Sequence, residues 1–318
     1  MLKMVWLDTA KTPKKLVAQL ENCLRKFGKL SSYPNTNSHE VAERALDAEV
    51  LLVNKVLINA EHLQQLPKLK YIIVIATGYD NVDVNGANKL GILVSNIPDY
   101  STLTVAQHTI ALLLELTNQV GTVSQNLKTS HKWLGGSHNI LELSGLTLGV
   151  IGFGQIARSV DKIAVALGMK VIVASGKISY VTDLPVNFVS HDTLYKTSDV
   201  ISLHCPLTSM TYEMINSYTL GQMKSNILLI NTSRGGLINH DDLYKALKDK
   251  QIAGAALDVL ALEPPSVKFK LNQLDNCIIT PHIAWASYEA MNRILDICVQ
   301  NIEAYIDGRR LNVVNLFN

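Results

Sequence analysis

Apolar residues along this chain alternate between short unbroken runs and longer stretches with helical spacing, the pattern of a parallel sheet whose strands are buried on both faces. Runs at residues 4–7, 48–53, 71–76 and 92–95 read as strands of a first small parallel sheet. Between them the spacing predicts helices: one runs to about Arg25, with Thr12 as N-cap and Pro13 in its first turn, and shorter ones lie near 39–46 and 61–66. Residues 102–120 form a long helix, with Leu103, Ala106, Ile110, Leu113, Leu114 and Thr117 on one face and Leu112 and Leu116 on another. Apolar nearly all round, it is predicted to be buried and to carry the chain from the first domain to the second, past a hinge near 98–101. His108 within it reads as a satisfied core histidine. Residues 121–145, with Trp133, Gly135 and Gly136, match no regular element and suggest an arm or a subunit contact, or equally simple packing of Trp133.

A second set of runs follows at 148–151, 171–174, 200–203, 227–231, 252–257 and 277–280. A final helix over 287–307 carries Met291, Ile294, Leu295, Cys298, Ile302, Tyr305 and Ile306 on one stripe and ends at Gly308. It comes too late to belong to the second sheet and is expected to return to the first domain. The fold class is therefore α/β, with two doubly wound parallel-sheet domains of Rossmann type. Residues 1–100 and 283–318 make a discontinuous, flavodoxin-like substrate domain, and 101–282 a dinucleotide-binding domain inserted in it.

The second set opens on a strand, a tight turn and a helix. The turn is Gly152-Phe153-Gly154-Gln155-Ile156-Ala157, a GxGxxA pattern. Its first glycine permits the bend, its second lets a pyrophosphate approach the backbone, and Ala157 keeps helix and strand close. Ile156, Val160, Ile163, Ala164 and Leu167 recur at helical spacing up to a left-handed cap at Gly168. The amides and positive dipole end of that helix suit phosphate. One element is missing: the acid that binds the adenosine ribose hydroxyls about 20 residues on is replaced by Ser175-Gly176-Lys177. Ser175 and Lys177 suit a 2′-phosphate, so the cofactor reading is NAD(P)(H) with a lean to NADP(H).

Composition narrows the partners. At 318 residues, with 47% apolar and 18% charged side chains, the chain is an ordinary globular protein of about two domains. Its 29 basic and 27 acidic residues give no field for nucleic acid or an anionic membrane, so the ligand is expected to be small. Cys23, Cys205, Cys277 and Cys298 are scattered without metal-ligand spacing, and no metal is expected. No signal peptide or membrane-spanning run is read, which makes the cytoplasm the expected compartment.

Strands of the second set stop at residues capable of chemistry: His204-Cys205-Pro206, Thr232-Ser233-Arg234, Asp258 to Glu263, and Pro281-His282. Ligands of open parallel sheets lie outside the carboxyl ends of the strands, where these stops converge. Arg234 offers a planar fork of donors for a carboxylate. A carboxylate such as Glu263 fixes the tautomer of a histidine and favours its protonated form, so His282 is a candidate proton donor in ketone reduction and a base in the reverse direction. In the first sheet, Gly78 exposes the backbone amides of Thr77 to Tyr79, which suit a carboxylate.

These motifs, with Ala256-Leu257-Asp258-Val259, Glu263-Pro264 and His282-Ile283-Ala284-Trp285, resemble the D-isomer-specific 2-hydroxyacid dehydrogenase family over nearly the full length. The resemblance implies that Arg234 binds substrate, that Glu263 and His282 form the acid/base pair, and that Thr77 and Gly78 offer amides to the substrate carboxylate. It further implies that Asp258 and the Thr232-Ser233 backbone hold the nicotinamide end, with Cys205 and Pro206 at the cofactor, and that the enzyme is a homodimer. Within the family, the run 76–83 and Trp285, expected to wall a small polar pocket, are similar to glycerate dehydrogenases, also called hydroxypyruvate reductases. Their substrates would be hydroxypyruvate and D-glycerate, and also glyoxylate. D-lactate or another 2-keto acid substrate, and a nucleotide-sensing corepressor-like role, are the alternatives.

Overall fold

The computed structural model describes residues 1–131, 133, 140–176 and 186–315, and divides the chain into two compact units, 1–100 with 287–318 and 101–286. The second crossing thus falls between Ala286 and Ser287 instead of directly after His282. Gly135, Gly136 and Lys177 lie outside the described residues.

In the first unit the order is β1 (Leu2–Trp6), α1 (Lys14–Leu24), β2 (Gly28–Ser32), α2 (Val41–Ala45), β3 (Val50–Val53), α3 (Ala60–Gln64), β4 (Tyr71–Val74), α4 (Val84–Lys89) and β5 (Leu93–Ser95). The five strands are all parallel in the order β2-β1-β3-β4-β5. β3 and β4 are buried at every position, which accounts for their unbroken apolar runs. The edge strand β2 was not legible in the sequence. Its Gly-Lys-Leu-Ser-Ser segment has one strongly apolar residue, and its pairing with β1 comes from the sheet rather than from its own pattern.

The second unit runs α5 (Thr102–Asn118), α6 (Val120–Ser130), β6 (Thr147–Ile151), α7 (Gln155–Ala166), β7 (Lys170–Ala174), β8 (Asn187–Phe188), α8 (His191–Thr197) and β9 (Val200–Leu203). It continues with α9 (Ser217–Leu220), β10 (Leu228–Asn231), α10 (His240–Lys248), β11 (Gly254–Leu257) and β12 (Cys277–Ile279). Seven parallel strands lie in the order β12-β11-β10-β9-β6-β7-β8. The last helix, α11 (Tyr288–Ile306), belongs to the first unit, is capped by Ser287, and buries Ile294, Cys298 and Ile302.

Two expectations change. The long helix stops at Asn118, because Gln119 adopts a left-handed conformation (φ +53°), and Leu103 on its expected buried face is exposed. The segment from 121, which showed no periodicity, begins as the regular helix α6, bounded by left-handed residues at Gln119 and His131. None of its side chains is buried, so no apolar stripe was there to be read. No helix among the described residues is long and apolar enough to cross a membrane.

Candidate active site

The strand order of the second sheet reverses between β6 and β9, and the glycine turn sits at that switch point. Gly152 takes φ +89° and donates its amide to the Ala174 carbonyl. A Cβ there would stand 2.6 Å from the His204 carbonyl oxygen, so both conformation and close approach demand glycine. Gly154 differs, because its backbone is extended and an added Cβ would meet nothing among the described residues within 4 Å. No packing among the described residues asks for glycine at 154, whereas a phosphate laid against that open face would.

Helix α7 closes its first bond from the Arg158 amide to the Gly154 carbonyl, and Gly154 provides no side-chain cap. The amides of Gln155, Ile156 and Ala157 therefore have no intrahelical acceptor and point their dipoles into the same open space. Together these features fit a dinucleotide. Phe153 is 3% exposed and its ring packs edge-on against Phe188, which leaves only its backbone to face that space. At the end of β7, Ser175 is half-buried where the ribose acid would stand. Cys205 packs its thiol against the Met214 sulfur at 3.8 Å, and burial pushes it up to about 11, so it stays a neutral thiol beside the exposed Pro206.

Arg234, Glu263 and His282 follow β10, β11 and β12, three neighbouring strands. The imidazole Nδ1 of His282 and Oε2 of Glu263 are 2.7 Å apart, and the other Glu263 oxygen accepts the Leu260 amide at 3.0 Å. Glu263 is thereby fixed at both oxygens, and the imidazole is left with Nε2 facing no acceptor among the described residues. Backbone conformation contributes as well: His282 takes a left-handed φ of +56°, held by its amide donating to the Asp258 and Thr280 carbonyls.

Arg234 ends a turn tied by Asn231, whose side chain accepts the Ser233 amide and donates to the Arg234 carbonyl. The Ser233 hydroxyl donates to the Leu203 carbonyl, and Thr232 is half-buried beside it. Gly235 lies directly on the Leu260–Ala261 backbone, leaving no space for a side chain. The Arg234 turn is thus pressed onto the loop that carries Glu263.

Asp258 is buried, and its oxygens are occupied by the chain itself. Oδ1 accepts from the Thr280 hydroxyl at 2.6 Å and the Ile283 amide at 2.9 Å, and Oδ2 accepts the Ala284 amide at 2.9 Å. Burial would raise its pKa, but the hydrogen bonds from His108, Thr280, Ala284 and Ile283 outweigh that and hold it below the usual carboxylate range. The carboxylate clamps the turn bearing His282. Trp285, three residues beyond that histidine, is half-buried.

In the first unit, Thr77 and Gly78 follow β4. The Thr77 hydroxyl donates to the Ile97 carbonyl and the Thr77 carbonyl accepts from Asn96, while the amides of Thr77, Gly78 and Tyr79 have no turn or sheet acceptor among the described residues. Beside them at this sheet's switch point, Asp8 after β1 accepts the amides of Asn54 and Val56 after β3. Asp8 was missed in the sequence, although a carboxylate just past a buried strand was a signal. His108 was read as a core residue, yet it is 21% exposed and placed 3.1 Å from the Thr280 hydroxyl.

The D-isomer specific 2-hydroxyacid dehydrogenase NAD binding domain matches residues 110–284. The chain is 40% identical to a hydroxypyruvate reductase of Blautia hydrogenotrophica, over 88% of this chain and 89% of that one. Among solved structures, it superposes on an acyclic imino acid reductase in complex with NADPH and D-Arg with a TM-score of 0.89 and 32% identity, covering 98% of this chain and 100% of that one. It also superposes on D-lactate dehydrogenase of Aquifex aeolicus, complexed with NAD and lactic acid, with a TM-score of 0.87 and 32% identity over 96% of each chain. The sequence match, the two parallel sheets and the nucleotide turn agree, and the chain belongs to the D-isomer-specific 2-hydroxyacid dehydrogenases.

Proposed function

We propose that this enzyme interconverts hydroxypyruvate and D-glycerate, and also reduces glyoxylate, with a nicotinamide cofactor. The observation that carries the chemistry is the His282–Glu263 contact of 2.7 Å at a strand end two places from that of Arg234. When bound, the nicotinamide supplies the hydride for reduction. His282 gives the carbonyl oxygen its proton from Nε2, while Glu263 on Nδ1 holds the ring's tautomer and orientation. Arg234 presents its guanidinium to the carboxylate and polarises the neighbouring carbonyl. In the first unit, the amides of Thr77 and Gly78 suit a carboxylate. The glycine turn and the start of α7 hold the pyrophosphate, with the Thr232-Ser233 backbone near the nicotinamide end.

For the substrate, the support is similarity to the Blautia hydroxypyruvate reductase, with Trp285 half-buried three residues beyond His282. For the cofactor, Ser175 in place of an acid favours NADPH over NADH. A homodimer is supported by α6, which buries none of its side chains, and by Trp133 at 87% exposure. Four free thiols fit a reducing cytoplasm.

Nicotinamide absorbance gives kcat/KM for hydroxypyruvate, glyoxylate and pyruvate with each reduced cofactor. Hydroxypyruvate with NADPH is expected to be highest. Turnover on none of the three would refute the proposal.

A further inference from the structure

Two neighbouring residues of α5 reach the loops that carry Arg234 and His282. Thr109 is 1% exposed, and its hydroxyl lies 3.0 Å from that of Thr232, two residues before Arg234. His108 lies next to it along the helix, with Nε2 at 3.1 Å from the Thr280 hydroxyl and 3.5 Å from Asp258 Oδ1. Thr280 has one proton, and it is spent on Asp258 at 2.6 Å. Only a lone pair then remains for His108, which requires the proton on Nε2. The hydrogen bonds therefore run in one direction, from His108 to Thr280 to Asp258.

Asp258 passes the constraint on. Its carboxylate accepts the amides of Ile283 and Ala284, and its carbonyl accepts the amide of His282. Residues 280–284 thus hang on Asp258: the left-handed His282 on its carbonyl, and Thr280, Ile283 and Ala284 on its carboxylate, with His108 behind Thr280. Without His108, Thr280 loses its outer partner and the hydroxyl is free to turn away from Asp258. The left-handed backbone at His282 then loses part of what holds it.

We propose that His108 is a positioning residue for catalysis: through Thr280 and Asp258 it fixes the orientation of the His282 imidazole, while Thr109 braces the Arg234 turn through Thr232. This rests on the dehydrogenase assignment, in which His282 is the proton donor. It assigns to α5, the first helix of the second unit, a share in aligning groups that lie more than a hundred residues further along the chain.

The test compares His108→Leu, His108→Gln, Thr280→Val and the double variant His108→Leu/Thr280→Val. Glutamine places an amide N–H near the position of Nε2; leucine and valine remove the bond. His108→Leu is expected to lower kcat for hydroxypyruvate by roughly five- to tenfold, the loss of one hydrogen bond's worth of alignment. The dissociation constant for the reduced cofactor, followed by its fluorescence, should stay within about twofold. The Gln variant should recover most of kcat, and the double variant should be no slower than the worse single one, because both act through one chain of bonds. Wild-type kcat in His108→Leu overturns the proposal. So do multiplying effects in the double variant, or a kcat loss that Gln does not rescue. Should the Leu variant fail to fold, the Gln and Val variants decide alone: Thr280→Val must lower kcat and His108→Gln must not. Absence of turnover in the wild type would instead strike the dehydrogenase assignment itself.

Discussion

Asp161 offers a quantitative test of how the nucleotide domain is packed. It lies on α7 among Ala157, Val160 and Ala164, is 0% exposed, and neither carboxylate oxygen has a hydrogen-bond partner among the described residues. Burial pushes its pKa from 3.8 up to about 6, with Lys162 offsetting part of the rise. Because the folded value lies above the unfolded one, the native state holds this proton longer, and stability is full below about pH 4 and lost as pH climbs through about 6. The shift of about two units corresponds to a penalty of about 3 kcal/mol at pH 7.5 and about half of that at pH 5. Asp161→Asn keeps the shape and a neutral buried amide but removes the titration. The variant is expected to be more stable than wild type at pH 7.5, by an amount that shrinks as pH falls to 5. Urea midpoints and slopes for both proteins, measured at half-unit pH steps, give the difference directly. Two parallel stability curves would refute the reasoning, since they would mean that Asp161 titrates alike in the folded and unfolded chains.

The nucleotide turn predicts opposite outcomes for its two glycines. Gly152→Ala should lower Tm markedly, because φ +89° and a carbonyl at 2.6 Å leave no strain-free place for the methyl group. Gly154→Ala should keep wild-type Tm while KM for the reduced cofactor rises at least tenfold, as the methyl group takes the phosphate's place. Equal effects on Tm would contradict this. His282→Ala is expected to cut kcat/KM by about three orders of magnitude at unchanged cofactor affinity, and a variant keeping most of its turnover would give His282 another role. Ser175→Asp should shift the kcat/KM ratio toward NADH, and an unchanged ratio would separate the end of β7 from cofactor choice.

Strands such as β3, β4 and β10 were legible because strands buried on both faces must be continuously apolar, and the α7 face because its burial repeats with the helix period. The edge strand β2 and the unburied helix α6 carry no such record, since neither uses its own side chains to define a buried face. Of the site, the residue types and their places after strand ends were readable from order along the chain. The pairing of Glu263 with His282 was expected too, but the bonds of Asp258, Thr280 and His108 were not.

The sequence by itself determined two parallel sheets, a glycine turn at the start of a helix, and a guanidinium, a carboxylate and an imidazole at successive strand ends. Apolar periodicity and backbone freedom are local properties, and parallel strands must present their carboxyl ends on one side. Only the tertiary structure decided that the Asp258 carboxylate is taken up by Thr280, Ile283 and Ala284 and so clamps the turn that bears His282. The same is true of His108, which joins that network from a helix about 150 residues earlier. A hydrogen bond depends on separations of a few tenths of an ångström between groups brought together by packing, and no spacing along the chain records it.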